Sequence, residues 1–178
     1  MPYTTITERL GFRPILQSDA AATAALMTAG LSRWLATWPS QVSNQEVSQR
    51  IADLHDRTAE GTCFARAIEG LDDGTLMGWV SARKETKDSR LGVIGFWIGE
   101  PFHGRGYMTE AVRAFVPLVW DNLGVDVIEA GALPENAASI SILKRIGMHY
   151  IGDRLELAPA RNRIERCVWY ALERVQRV

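Results

Sequence analysis

Apolar and strand-forming residues run from Ile6 to Ile15 and stop near Pro14, which reads as a first strand. Ser18-Asp19 then opens an Ala-rich stretch of helical character that closes at Gly30. After a short aromatic segment, Leu31 to Pro39, the residues Ser43-Asn-Gln-Glu46 have capping-box spacing. In that motif the Ser oxygen and the Glu carboxylate satisfy each other's exposed backbone N–H groups, so a helix is predicted from about 44 to 60, ending at Gly61. From there the period changes. Thr62–Glu69 and Thr75–Lys84 are β-rich runs joined by Gly70-Leu-Asp-Asp-Gly74, whose residue types suit a tight turn, and they predict an antiparallel hairpin.

Gly92–Gly99 (GVIGFWIG) predicts another strand, and the loop from Pro101 to Tyr107 leads into a helix. Its apolar residues Ala111, Val112, Phe115, Val116, Val119 and Leu123 recur at helical spacing. Pro117 lies inside it and has no N–H for the carbonyl of Arg113, so a kink or local widening is expected there. Val125–Leu133 reads as a strand and Glu135–Ile146 as a helix stopped by Gly147; Met148–Leu157 and Arg163–Leu172 read as a closing hairpin. No repeat, low-complexity tract or linker interrupts this order. It predicts one mixed α/β domain over residues 1–178.

Composition narrows the function classes. Basic and acidic residues nearly cancel, 20 against 21, which gives no general pull toward nucleic acid or an anionic membrane. Seventeen of the basic residues are Arg, a bias that base composition alone can produce. Cys63 and Cys167 sit in apolar strand-like runs with no CxxC or Cys/His spacing, so neither a metal site nor a disulfide framework is expected. The N-terminus lacks a basic region followed by an apolar stretch, and nowhere do about 18 apolar residues follow one another. A soluble, unprocessed, cytoplasmic protein is the expectation.

The chemistry concentrates in Trp97-Ile-Gly-Glu-Pro-Phe-His-Gly-Arg-Gly-Tyr-Met-Thr-Glu110. Strand, glycine-containing loop and helix, in that order, aim several backbone N–H groups and the positive end of a helix at a phosphate. Glycines at 104 and 106 remove side chains that would block a diphosphate. The chain has no GxxxxGK[ST], nor a GxGxxG after an N-terminal strand, so nucleotide triphosphatase and dinucleotide folds are disfavoured.

Taken with Thr7-Glu-Arg-Leu-Gly-Phe-Arg-Pro14, Asp19-Ala20 and Pro134-Glu-Asn-Ala-Ala-Ser139, this segment resembles the GNAT acetyltransferase superfamily, and within it the RimJ/RimL-type branch. The resemblance implies a mixed central sheet of about six to seven strands, splayed at its centre and flanked by about four helices. It implies acetyl-CoA as co-substrate, no metal, and transfer of the acetyl group to a primary amine. The diphosphate would lie on the main chain of His103, Gly104, Arg105, Gly106, Tyr107 and Met108. The family's loop pattern departs here at His103, where Gln or Arg is usual, and at Met108, where Gly or Ala is usual; Met108 threatens to crowd the phosphates unless it turns into the core.

By the same resemblance, pantetheine enters the splay, a backbone N–H near Ile98 polarises the thioester carbonyl, and Asn136 contacts the cofactor. The Tyr that many relatives place seven residues past this Asn as general acid is absent; Leu143 stands there. Ser139, three residues past it, is the proton donor that RimL-like members suggest. A first-turn Ser bonded to its own backbone is the competing reading. The position where such members carry a catalytic Glu is Ala158, which leaves Glu156 and Glu100 as candidate bases and Glu110 as a partner for the helix dipole. The acceptor groove implied by the branch lies beside Arg33, Trp34, Trp38 and the 158–163 loop. Arg161 and Arg163 in that loop could meet an acidic partner.

The acceptor stays open between a protein N-terminus, such as that of a ribosomal protein, and a small-molecule amine. A non-catalytic acyl-CoA-binding module is a third reading. A homodimer is common in the branch.

Overall fold

The computed structural model describes residues 3–174. Eight strands form one sheet, in the spatial order β1-β2-β3-β4-β5-β6-β8-β7, with five α-helices packed on its two faces. The strands are β1 (Thr5–Ile6), β2 (Leu10–Arg13), β3 (Cys63–Gly70), β4 (Leu76–Lys84), β5 (Leu91–Ile98), β6 (Val127–Ala132), β7 (His149–Ala158) and β8 (Arg163–Glu173). The helices are α1 (Ala20–Leu26), α2 (Ala29–Ser32), α3 (Asn44–Ala59), α4 (Tyr107–Leu123) and α5 (Ala137–Arg145).

Both counts exceed the sequence expectation by one. The first strand is divided: the N–H of Thr7 bonds the carbonyl of Leu10, turning the chain back so that Thr5 pairs with Phe12. The additional helix is α2, capped by Thr28, whose hydroxyl accepts from the N–H of Leu31. Gly30 therefore lies within a helix and does not end one; α1 already stops at Leu26. The capping box of α3 forms as predicted, Ser43 and Glu46 each accepting from the other's backbone. Helix α4 runs without a break across Pro117, which faces solvent.

Two apolar cores lie on opposite faces of the sheet. Helices α4 and α5 bury Ala111, Val112, Phe115, Val119 and Leu143 against Phe64, Val80, Ile94, Ile128 and Ala130. Helices α1 to α3 cover the other face, where Leu31, Val47 and Ile51 meet Ala65, Ala67, Trp79 and Trp97. At the start of α1, buried Arg13 binds Asp19 at 2.7 and 2.8 Å and Glu69 at 2.7 Å, tying β2, β3 and the helix entry together. Burial without partners would be costly for all three charges, and the mutual bonds offset it.

The sheet opens where the site forms. Strands β5 and β6 run parallel, yet they pair only from Leu91 to Val93 against Val127 to Glu129. Beyond that point β5 continues on β4 to Ile98, while β6 continues on β8 to Ala132. The facing edges thus diverge, each held from its far side.

Candidate active site

The glycine turn follows the end of β5, at the open end of that gap. Gly106 is the N-cap of α4 with φ of 78°, Gly104 has φ of 74°, and no side chain caps the helix. Both conformations lie in the left-handed region, which a residue with a Cβ enters only at a cost. Among the described residues, the N–H groups of Gly104, Arg105, Gly106, Tyr107 and Met108 have no hydrogen-bond partner. A row of free amides at an uncapped helix start presents partial positive charge, the arrangement that binds phosphate.

Met108 does not crowd this row. Its side chain is buried with Ala111, Val112 and Phe115, so only its amide faces the turn. His103 points neither into the core nor to open solvent alone: its Nε2 lies 2.8 Å from the carbonyl oxygen of Ile98, tying the middle of the loop back to the end of β5. Arg105 is exposed, and Tyr107 is half-buried beneath the guanidinium of Arg9, 4.5 Å from its ring centre.

At the end of β5, the N–H of Gly99 is bonded to Met77 across the hairpin. Because hydrogen-bonded and non-hydrogen-bonded pairs alternate in an antiparallel ladder, the N–H of Ile98 points the other way, into the gap toward β6. Ile98 thus offers a main-chain donor at the end of β5, well beyond Val93, the strand's last residue paired with β6. On the far wall, Asn136 is buried as the N-cap of α5, its Oδ1 accepting from the N–H of Ser139 at 3.1 Å. The hydroxyl of Ser139 is half-buried and has no partner among the described residues. It does not make the local backbone bond that the competing reading required.

The remaining candidates divide by geometry. Glu100 is turned toward α2: it accepts a hydrogen bond from Thr28, and a methyl at Gly30 would collide with its carboxylate. It braces the α1–α2 turn against the mouth of the gap. Glu156 stands on β7 opposite Glu165, half-buried and without a hydrogen bond or ion pair among the described residues. Glu165 is saturated instead. Hydrogen bonds from Arg161, and then from Arg163, overcome burial and hold its carboxyl down to about 2.

Arg161 also donates to the carbonyls of Ser32 and Leu35, and the N–H of Ala160 to that of Ala36. Its charge is spent on fastening the β7–β8 loop to the α2 region, while Arg163 stays largely exposed. The same bonds set Glu165, and Glu156 beside it, on the face that α1 to α3 cover. Trp38 is buried against Trp79 and Trp97, at 5.4 and 5.9 Å between ring centres, so it anchors the segment after α2 and does not line an open groove. Trp34 is half-buried under the exposed Arg33, 4.4 Å from its ring centre, at the edge of that segment.

Residues 9–149 match the family model described as the acetyltransferase (GNAT) domain. The chain belongs to the GNAT acetyltransferase family. Sequence relatives of this GNAT chain include the Bacillus subtilis (strain 168) protein described as "Probable N-acetyltransferase YjcK", 30% identical over 105 residues; that match takes in 58% of each chain, so it spans somewhat over half the relative's length. Among solved structures, the RimL ribosomal L7/L12 α-N-protein acetyltransferase in complex with coenzyme A superposes with a TM-score of 0.82 at 18% identity over 97% of this chain and 98% of that one. Mycobacterium smegmatis RimJ, in complex with CoA-disulfide, superposes with a TM-score of 0.81 at 21% identity, covering 92% and 81%. At such identities the likeness is one of fold.

Sequence reasoning missed two features of the site. Arg9 reaches α4 from the far end of the sequence, and its only signal was its place in the Thr7-Glu-Arg motif. The bracing of Glu100 by Thr28 had no local signal, because it depends on where α2 begins. No group of His, Cys, Asp and Glu among the described residues is arranged to hold a metal, and none of the described helices is long and apolar enough to cross a membrane.

Proposed function

We propose that this protein transfers the acetyl group of acetyl-CoA to a primary amine by direct attack within a ternary complex, with the α-amine of a protein N-terminus, ribosomal in kind, as acceptor. One observation carries the reading: the free amides of Gly104 to Met108 follow directly on β5, which by its end at Ile98 has parted from β6. The diphosphate of the coenzyme rests on those amides, and pantetheine threads the gap, bonding strand backbone that no neighbouring strand uses. The N–H of Ile98 then meets the thioester carbonyl. Attack by the amine converts that carbonyl to an oxyanion, and a fixed donor stabilises it more in the transition state than in the ground state.

Proton traffic follows from which groups are free. An α-amine, with a pKa of about 8, is partly neutral at physiological pH and needs little assistance, whereas a Lys side chain near 10.4 needs a strong base. Glu156 takes the proton from the attacking amine, being the candidate carboxylate without a partner. Glu100 orders the α1–α2 turn. Ser139, its hydroxyl unbonded among the described residues, gives a proton to the departing thiolate of coenzyme A and takes one back from solvent, to which Glu156 releases the proton of the amine. Arg33 and Trp34 flank the entrance for the acceptor, and Trp38 supports them from within.

The protein works in the cytoplasm and pairs as a homodimer. Leu157 and Ile164, opposite each other on the outer hairpin, are 60% and 67% exposed, and Leu155 on the same face is 75% exposed. A second copy that met this face would remove apolar surface from water on both partners.

The test is release of free coenzyme A thiol from acetyl-CoA, followed with N-terminal peptides and with small amines as separate acceptors. Turnover with peptides is expected. Turnover only with small amines would overturn the acceptor, and binding of acetyl-CoA without turnover on any amine would overturn the enzymatic reading.

A further inference from the structure

Arg9 sits in the turn between β1 and β2, yet its side chain belongs to α4. Its Nε and a terminal nitrogen bind one carboxylate oxygen of Glu110 at 2.8 and 2.6 Å. The Thr7 hydroxyl and the Arg9 N–H bind the other oxygen at 2.6 and 3.0 Å. The remaining guanidinium nitrogen donates to the carbonyl of Arg105 at 2.9 Å. Glu110 stands in the first turn of α4, and Arg105 is the residue before its N-cap. One side chain therefore spans both parts of the glycine turn.

Two consequences bear on an anion there. In a trans peptide the carbonyl oxygen and the next N–H point in opposite directions, so holding the Arg105 carbonyl toward Arg9 fixes the N–H of Gly106 away from it, within the row of free amides. Glu110 is also a negative charge one helical turn from the place a diphosphate would occupy. Burial alone would favour its neutral form, but the bonds from Thr7 and Arg9 keep it ionised and lower its pKa. The charge of Arg9 cancels the repulsion this carboxylate would exert. The groove beyond is about 520 Å³ and is lined by Thr7, Arg9, Gly106, Glu110, Arg113 and Arg145 among others.

We propose that Arg9 is a positioning residue for the coenzyme: through Arg105 and Glu110 it holds the glycine turn in its anion-binding shape and neutralises the carboxylate at the helix start. This rests on the reading that the turn receives the diphosphate of coenzyme A. The Thr7-Glu-Arg motif then serves the coenzyme as well as the β1–β2 turn, which Thr7 closes on Leu10.

Calorimetric titration with coenzyme A, together with steady-state kinetics, tests it on the wild type, Arg9→Ala, Arg9→Lys, Glu110→Gln and the Arg9→Ala/Glu110→Gln double variant. Loss of charge-assisted hydrogen bonds predicts that Arg9→Ala raises Kd for coenzyme A and KM for acetyl-CoA about tenfold or more, with kcat and the acceptor KM nearly unchanged. Arg9→Lys, which keeps the charge but not the three-way grip, falls between. The double variant binds more tightly than Arg9→Ala, because the uncancelled carboxylate is gone. Wild-type affinity in Arg9→Ala, an equal fall in kcat and both specificities, or a double variant no tighter than Arg9→Ala overturns the proposal. Absence of binding in the wild type would instead overturn the functional reading beneath it.

Discussion

Replacing Gly106 by Ala puts a number on the glycine turn. Nothing obstructs the added methyl sterically: its nearest neighbour is the Arg9 guanidinium at 3.6 Å, an ordinary contact. The penalty comes from φ of 78°, where a Cβ meets the following carbonyl oxygen at a cost of about 1–2 kcal/mol. The variant can distribute this cost in two ways. If the free protein keeps the turn, it loses that amount of stability, which for a domain of this size lowers Tm by about 2–8 °C. If the turn relaxes in the free protein, the coenzyme must restore it, and Kd rises by about 5- to 30-fold.

In both cases the coenzyme-saturated protein carries the strain, so Tm measured under saturating coenzyme A falls relative to the saturated wild type. Differential scanning fluorimetry with and without ligand, alongside calorimetry, separates the two routes. Gly104→Ala, at φ of 74° with no atom within 4 Å of the new methyl, is expected to behave alike. A Gly106→Ala protein whose saturated Tm and Kd both equal the wild-type values would refute the reasoning, since it would show that the left-handed turn is not part of the bound state.

Further consequences concern the chemistry, the acid limit and the assembly. Ser139→Ala should lower kcat by at least about tenfold while leaving Kd for coenzyme A unchanged, and equal turnover would remove Ser139 from the mechanism. Glu156→Gln should lower kcat for a peptide acceptor by about tenfold or more, whereas Glu100→Gln should leave it near the wild-type value; the converse would exchange their roles. Glu165 is held down to about 2 in the folded protein, so its contribution to stability is complete above the ordinary Glu range and is lost as pH falls from about 4.5 toward 2. Glu165→Gln should therefore be less stable than wild type at neutral pH, with the deficit shrinking on acidification in denaturant titrations; a deficit constant with pH would contradict the assignment. Leu157→Glu should shift the protein from dimer to monomer in light scattering after gel filtration, and a wild type already monomeric would dispose of the hairpin interface.

Much of this architecture was legible wherever it was written locally. The Ser43/Glu46 box marked the start of α3, and the periodic apolar positions from Ala111 to Leu123 are all buried on α4. The same periodicity, extended one turn back, places Met108 with Ala111, Val112 and Phe115, so its core position could have been read from spacing. What failed depended on distant groups. The run from Ile6 to Ile15 looks like one strand because its turn, closed by Thr7 on Leu10, is held further from outside: Thr7 and Arg9 are bound by Glu110, about a hundred residues away. Gly30 resembles a helix stop but lies within α2, where the Glu100 carboxylate packs against it. Likewise, the partnering of Arg161 with α2 depends on tertiary placement, for which a single sequence offers no signal.

The account stands on the main-chain amides of the glycine turn receiving the diphosphate, and amide NMR observes those groups directly. Titrating coenzyme A into the ¹⁵N-labelled protein should move the resonances of Gly104, Arg105, Gly106, Tyr107 and Met108 downfield, ahead of all other amides, as their free N–H groups acquire phosphate oxygens. Unchanged resonances for these five at saturating coenzyme, or shifts confined to another surface, would contradict the account.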